Sequence, residues 1–208
     1  MNHTHGQMRD RTLPKSRLGA LVAAGAITAA LTFPACGGGG ADDSGSGNPD
    51  SVVSESEFAD ALAGAPPPLA DLYADANAII EGGADVFDEK LAELEGNPVV
   101  VNKWASWCGP CRYEFPFFQE AAIRRGKEIA FIGVNADDST DAAETFLDEL
   151  PLPYPSISDP ENEIEDQIKG FYFPSTAFYS AEGELLYTRQ GPYDSAADLN
   201  AEITKYLG

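Results

Sequence analysis

A pair of cysteines shortly after a short apolar segment limits the folds that are open to this chain. Residues 99–104 have the sequence VVVNKW, a β-branched run typical of a central strand buried on both faces. Cys108 and Cys111 follow, and a helical pattern then continues through Ile123. The chain must therefore turn sharply between a buried strand and a helix, with both sulfur atoms at the junction.

This junction suits thiol chemistry because Cys108 is expected at the N-terminus of the following helix. Unpaired backbone N–H groups and the helix dipole stabilise a thiolate there, so the pKa of Cys108 should fall below the free value of about 8.5. Gly109 permits the turn, and Pro110 starts the helix without needing a backbone donor. Cys111 lies one turn further along, where we expect it to be more buried and to resolve the mixed disulfide formed at Cys108.

The first 35 residues are predicted to be a signal peptide of the lipoprotein type. Cationic side chains precede an apolar run from Leu18 to Phe33, which is shorter than the roughly 20 residues needed to span a bilayer. The run ends at Ala35 and Cys36, a junction that resembles a bacterial lipobox, in which the cysteine is lipidated and becomes the new N-terminus. Cleavage without lipidation, giving a secreted or periplasmic protein, is the alternative. Both predict an extracytoplasmic protein, and lipidation would anchor it to the cell membrane.

The composition excludes several classes of function. Among 208 residues, 34 are Asp or Glu and 13 are Lys or Arg, a net charge of −21 that would repel phosphate backbones, so we expect no nucleic-acid partner. The two histidines, His3 and His5, both precede the predicted cleavage site. The exported chain would therefore lack a Cys-His or Ser-His-Asp catalytic group and a histidine metal ligand. We expect no metal site and no cofactor.

The Cys-x-x-Cys spacing has two other common interpretations. A zinc site needs two further Cys or His ligands, but the exported part would offer only Cys36, which is expected to be acylated. A purely structural disulfide is the second alternative, although this spacing closes too small a loop to stabilise the fold much.

The elements of the chain predict its class of fold. Residues 36–68 are rich in Gly, Ser, Asp and Pro and are expected to form a flexible linker, so that the folded domain covers residues 69–208. Helices are predicted over Leu69–Ile80, Asp85–Glu95, Thr140–Leu150, Glu161–Ile168 and Ser195–Leu207, and further strands over Ile129–Val134, Pro155–Ser158, Thr176–Tyr179 and Leu185–Gln190. This alternation predicts an α/β fold with a central mixed β-sheet flanked by helices.

The segment around the cysteines resembles a known active site. The sequence WASWCGPC at residues 104–111 is similar to that of thioredoxin. Asn102 and Glu114 narrow the resemblance to the TlpA/ResA group of membrane-anchored, thioredoxin-fold thiol-disulfide oxidoreductases. The resemblance implies a thioredoxin-like fold with an extra strand-helix insertion between Thr140 and Ile168.

The resemblance also implies roles for individual residues. Glu114 would accept a proton from Cys111, whereas the alternative is an ordinary solvated helix glutamate. Phe173 and Pro174 match the cis-proline loop that offers backbone groups to an extended substrate, whereas the alternative is a proline at the entry to a strand. Trp107 is expected to shield the disulfide.

These expectations describe an extracytoplasmic enzyme that exchanges disulfides with protein cysteines. The resemblance implies a reductant that receives electrons from a membrane donor and acts on exported proteins with cysteine pairs, for example apocytochrome c during cytochrome c maturation. An oxidising protein that forms disulfides is the first alternative. A thiol peroxidase and a lipid-anchored binding module, in which the cysteines only brace the turn, are the others.

Overall fold

Six strands form one mixed sheet in the computed structural model, which describes residues 54–208. The strands are β1 (Ile79–Ile80), β2 (Val99–Trp104), β3 (Ala130–Ala136), β4 (Ser156–Asp159), β5 (Ser175–Tyr179) and β6 (Leu185–Gln190). Their order is β1-β4-β3-β2-β5-β6, with the first four parallel and β5 and β6 antiparallel to their neighbours. The predicted α/β fold with a mixed sheet is confirmed.

Helices flank this sheet. They are α1 (Glu55–Leu62), α2 (Pro67–Tyr73), α3 (Gly83–Glu93), α4 (Gly109–Arg125), α5 (Thr140–Glu149), α6 (Glu165–Ile168) and α7 (Ala196–Leu207). Helix α4, which begins at the cysteine pair, packs against α7. It contains Pro116 in its interior.

The core is centred on β2, all six of whose residues are buried. Strands β3 and β5 pair with its two edges. Its side chains alternate between the two faces of the sheet, so the burial of all six shows that both faces are covered. Trp104, at the end of β2, packs its ring 5.1 Å from the rings of both Phe115 and Phe146. The strand that leads to the cysteines is therefore held rigidly from both sides.

The helix predicted over Leu69–Ile80 is wrong at its C-terminal end. Helix α2 ends at Tyr73, and Ile79–Ile80 forms β1, which pairs in parallel with β4. Asn77 has a φ of 62° and turns the chain between the two elements, while its Oδ1 accepts the Leu152 N–H at 2.9 Å. The helical spacing of apolar residues cannot distinguish this arrangement, because the strand is fixed by pairing with residues far along the chain.

The folded part also begins earlier than the predicted boundary at Leu69. Ser54 caps α1 in a capping box with Glu57, and Phe58 and Leu62 are buried against the rest of the structure. The predicted flexible linker over residues 36–68 is therefore too long at its C-terminal end. The apolar residues of α1 were too few for the sequence to show that they join the core.

Helix α6 is shorter than the predicted Glu161–Ile168. The Asp159 carboxylate accepts the backbone N–H groups of Glu163 and Ile164, at 2.8 and 3.0 Å, and holds the preceding residues in a turn. The helix ends at Ile168, because the next residue, Lys169, has a φ of 55°. The chain then enters the loop that precedes β5.

The predictions of a signal peptide over residues 1–35, of a lipidated Cys36 and of a linker up to residue 53 concern residues outside the described range. Within residues 54–208, no helix is both long enough and apolar enough to span a membrane.

Candidate active site

Cys108 and Cys111 form a disulfide at the N-terminus of α4, with their Cα atoms 5.3 Å apart. Cys108 is the N-cap residue, and its Sγ accepts the Cys111 backbone N–H at 3.2 Å. Both cysteines are buried. Gly109 and Pro110 are the first two residues of the helix. A thiolate at Cys108 would therefore meet a backbone donor and the positive end of the helix dipole.

Glu114 lies one turn beyond Cys111 and is completely buried, with 0% of its surface exposed. Its Oε1 accepts the Asn102 side-chain N–H at 3.2 Å, and its Oε2 accepts the Tyr193 backbone N–H at 3.1 Å. Burial raises the pKa of Glu114 to about 7, although the two hydrogen bonds oppose this shift. The burial excludes the alternative of a solvated helix glutamate.

Tyr193 is part of the site although the sequence did not indicate it. It follows β6, and its OH donates to Glu202 on α7 at 2.8 Å. Arg189 lies 4.4 Å above the Tyr193 ring and pairs with Glu202 at 3.1 Å. The charge of Arg189 also lowers the pKa of Glu114, against the larger effect of burial. Contacts with α7 and β6 thus hold Tyr193, whose backbone N–H donates to Glu114.

A second group that sequence reasoning missed is Asp138, in the loop after β3. Its carboxylate accepts hydrogen bonds from the backbone N–H and the hydroxyl of Ser106, from Asn135 Nδ2 at 3.0 Å and from the Ser139 N–H at 2.9 Å. Beside it, Trp107 Nε1 donates to the Asp137 carbonyl at 2.8 Å. Because β2 and β3 are parallel neighbours, the loops after them meet at one edge of the sheet. The predicted strand–helix–strand order was the sequence signal for this parallel pairing.

The loop before β5 supplies the other side of the site. The Phe173–Pro174 peptide bond is cis, as the resemblance implies. The Phe173 ring lies 4.9 Å from the ring of Trp107, the residue before Cys108. We call Trp107, Phe171, Tyr172 and Phe173 the apolar rim. Its members Trp107, Phe171 and Tyr172 have exposed fractions of 57%, 52% and 66%, which are high for large apolar side chains.

The structure therefore brings most of the predicted residues together. Asn102 and Glu114 are in direct contact, and Trp107 contacts Phe173 on the side of the cysteine pair. Within residues 54–208, no group of three or more Cys, Asp or Glu side chains is arranged to hold a metal ion.

Comparison with known proteins agrees with this geometry. The Redoxin family model matches residues 82–204, a range that contains the cysteine pair, Glu114 and Pro174. The chain belongs to the Redoxin family. Its relatives include the thiol-disulfide oxidoreductase ResA of Oceanobacillus iheyensis, 34% identical over 103 residues, which are 49% of this chain and 54% of that protein. The chain thus spans about half the length of that curated relative.

Two further comparisons extend over more of the known proteins. The thiol:disulfide interchange protein DsbE of Pseudomonas aeruginosa is 31% identical over 140 residues, which are 67% of this chain and 72% of that protein. A crystal structure described as that of a thiol:disulfide interchange protein DsbE from Chlorobium tepidum superposes with a TM-score of 0.53. It is 28% identical and covers 57% of this chain and 85% of that one. The predicted thioredoxin-like fold and the relationship to thiol-disulfide oxidoreductases are confirmed.

Proposed function

We propose that this Redoxin family protein is an extracytoplasmic thiol-disulfide oxidoreductase that exchanges disulfides with the cysteines of other proteins. The observation that carries the proposal is the Cys108–Cys111 disulfide at the N-terminus of α4, with the buried Glu114 one turn away. The names of its relatives support the same class of chemistry.

The reaction begins with the reduced protein. The Cys108 thiolate attacks a substrate disulfide, forms a mixed disulfide and releases one substrate sulfur as a thiolate, which takes up a proton. Glu114 then accepts the proton of Cys111, and the Cys111 thiolate attacks the Cys108 sulfur. This step releases the second substrate thiolate and closes the Cys108–Cys111 disulfide. Two electrons have passed from the protein to its substrate.

Pro174 and Phe173 are proposed to receive the substrate. The apolar rim is exposed beside Cys108, and a loop next to the end of a strand can pair with an extended chain through its backbone. Exported proteins with cysteine pairs fit this chemistry, and apocytochrome c is one such substrate that the family resemblance implies.

The export and anchoring of the protein are part of the same proposal. Residues 1–35 would be removed as a signal peptide, Cys36 would carry the lipid, and the segment up to α1 would tether the domain. A membrane electron donor would reduce the Cys108–Cys111 disulfide again after each turnover.

The direction of electron flow is proposed to be reducing. A reduction potential of about −270 mV, as in thioredoxin, would agree with a reductant. A value of about −120 mV, as in DsbA, would favour the oxidising alternative. Equilibration of the purified protein with glutathione buffers of known potential measures it.

A Cys111→Ser variant tests the function itself. Without the resolving thiol, a mixed disulfide on Cys108 should persist, and the variant should be recovered from membranes in a disulfide-linked complex that a reductant dissolves. The variant in which both cysteines are changed to serine is the control. Equal recovery of complexes from the single and double variants would contradict the proposal.

A further inference from the structure

We propose that Lys103 is a positioning residue that holds residues 170–174 in place, and thereby determines how well the site accepts protein disulfides. This inference rests on the proposed function of the site. Lys103 would affect substrate binding through the apolar rim, because Lys103 itself is buried beneath that rim.

Lys103 is a fully buried cation in the central strand β2. Its Nζ donates to Glu165 Oε2 and to the Gly170 carbonyl, both at 2.8 Å. A buried ammonium that loses its partners is strongly destabilised, so these contacts are maintained together. Both partners belong to the stretch of chain that leads into the apolar rim, one on α6 and one in the loop after it.

A third contact joins the ammonium to the rim directly. Lys103 Nζ lies 4.4 Å from the centroid of the Phe173 ring, a distance at which a cation is attracted to the aromatic face. The Phe173 ring in turn packs 4.9 Å from Trp107. A continuous row of contacts therefore runs from the core of the sheet to the residue before Cys108.

The Gly170 contact lies between other hydrogen bonds that fix the same stretch of backbone. Thr188 Oγ1 donates to the Ile168 carbonyl, and Gln190 Nε2 donates to the Lys169 carbonyl at 2.6 Å. On the other side, Ser175 Oγ donates to the Tyr172 carbonyl at 2.7 Å. Residues of β6 thus hold the backbone at Ile168 and Lys169, and β5 holds it at Tyr172. Lys103 holds it between them, at Gly170.

This arrangement explains how two large aromatic side chains remain exposed in a defined position. Phe171 and Tyr172 project from the segment whose carbonyl groups are held from below. A rim held in its binding conformation loses less conformational freedom when a substrate chain docks on it. Lys103 should therefore matter for a protein disulfide that contacts the rim, and not for a small disulfide that meets only the sulfur of Cys108.

The test compares Lys103→Met with Lys90→Met, which removes a cation paired with Glu93 at the same 2.8 Å but outside the site. Insulin serves as the protein disulfide and oxidised glutathione as the small one. We expect Lys103→Met to raise the KM for insulin about tenfold, as loss of a charged hydrogen bond can, and to leave kcat/KM for glutathione within about twofold. Equal losses with the two substrates, or no loss with insulin, would overturn the proposal.

Hydrogen exchange of the backbone amides gives a readout that does not depend on activity. In Lys103→Met, residues 169–173 should exchange faster, whereas β3 and α7 should not change. Unchanged exchange in residues 169–173 would also overturn the proposal. A wild-type protein inactive on both disulfides would refute the proposed function, while the exchange data would still decide the role of Lys103.

A second variant covers the case in which Lys103→Met does not fold. Glu165→Gln keeps an acceptor near Lys103 but removes the opposite charge from a partly exposed position. It should change the insulin KM and the exchange of residues 169–173 in the same direction, by a smaller factor. The absence of both changes would contradict the inference.

Discussion

At the scale of single residues, the most informative group is the carboxyl of Glu114. Burial raises its pKa to about 7, while hydrogen bonds from Tyr193 and Asn102 partly stabilise the charged form. A carboxyl group with this pKa is suited to exchange protons with a thiol near neutral pH, because it is present in both protonation states. In the proposed reaction its partner is the Cys111 thiol, one helical turn away.

The first prediction concerns the rate at which Cys111 resolves a mixed disulfide on Cys108. Since only the ionised carboxylate of Glu114 accepts a proton, the rate should rise as the pH increases through about 7. In Glu114→Gln this rise should disappear, and the rate above pH 7 should fall by about 10²-fold or more. Stopped-flow measurement of the second step across this pH range checks it.

Glu120→Gln is the matched control, because Glu120 is exposed on the same helix and pairs with Arg124 on the surface. It should keep the wild-type pH profile. A Glu114→Gln profile that coincides with it would remove Glu114 from the mechanism.

The second prediction concerns the stability of the oxidised protein. The folded-state pKa of Glu114, about 7, lies above its ordinary value of 4.5, so between these pH values the folded protein binds a proton that the unfolded chain has lost. The contribution of Glu114 to the free energy of unfolding should therefore be fully present below pH 4.5 and be lost as the pH rises through about 7. At about 1.4 kcal/mol per pKa unit, the loss is about 3 kcal/mol.

Urea denaturation at a series of pH values measures this effect. Glu114→Gln should lack the contribution of this carboxyl to the pH dependence. The difference in the free energy of unfolding between wild type and variant should therefore change by about 3 kcal/mol between pH 4.5 and a pH above 7. A constant difference across the range would show that the carboxyl titrates normally.

At the scale of elements, the site depends on loops that follow neighbouring parallel strands. The loop after β2 carries Ser106 and Trp107, and the loop after β3 carries Asp138, whose carboxylate receives hydrogen bonds from both loops. The register between β2 and β3 places Trp104 opposite Asn135, so the two loops start side by side. The chain two residues before Cys108 is therefore hydrogen-bonded to the loop after β3.

The third prediction is that Asp138→Asn destabilises the protein and loosens the loop before Cys108. The asparagine would present an N–H₂ group to donors that now face a carboxylate oxygen, leaving them unpaired at a cost of about 1–3 kcal/mol. Urea denaturation should show this loss, and the fluorescence of Trp107 should change in the folded protein.

The control is Asp148→Asn, which removes the same charge from an exposed position on α5. Its free energy of unfolding should stay within about 0.5 kcal/mol of the wild-type value. An Asp138→Asn variant as stable as this control would show that the hydrogen bonds around Asp138 contribute little.

At the scale of the whole molecule, a folded domain over residues 54–208 follows a long N-terminal segment. The cysteine pair, the apolar rim and Glu114 all lie within the domain. The proposed lipid attachment at Cys36 precedes this domain in the sequence. Anchoring and chemistry should be separable by mutation.

The fourth prediction is that Cys36→Ser releases the exported protein from the membrane fraction without changing its disulfide exchange. Fractionation of cells that export the chain, with metabolic labelling by a fatty acid, checks the lipid. Purified wild-type and Cys36→Ser proteins should reduce insulin at the same rate. Retention of the variant in membranes with its label would exclude Cys36 as the modified residue.

Features that depend on residues close together in the chain could be predicted from the amino-acid sequence. The β-branched run of β2, the cysteine spacing and the proline at the start of α4 predicted the strand, the turn and the helix that carry the disulfide. The motif around the cysteines predicted the thioredoxin-like fold, which the comparisons confirm. These signals are local, because a few consecutive residues set backbone conformation and place both sulfur atoms.

The distant groups that contact these residues became known from the packing of the folded domain. The donors to Glu114 come from Asn102 and Tyr193, and the acid beside Lys103 is Glu165. Ile79–Ile80 becomes a strand because β4 lies beside it, and α1 joins the core through Leu62. Such contacts depend on strand order and register, and the burial that raises the pKa of Glu114 exists only once those elements have packed around it.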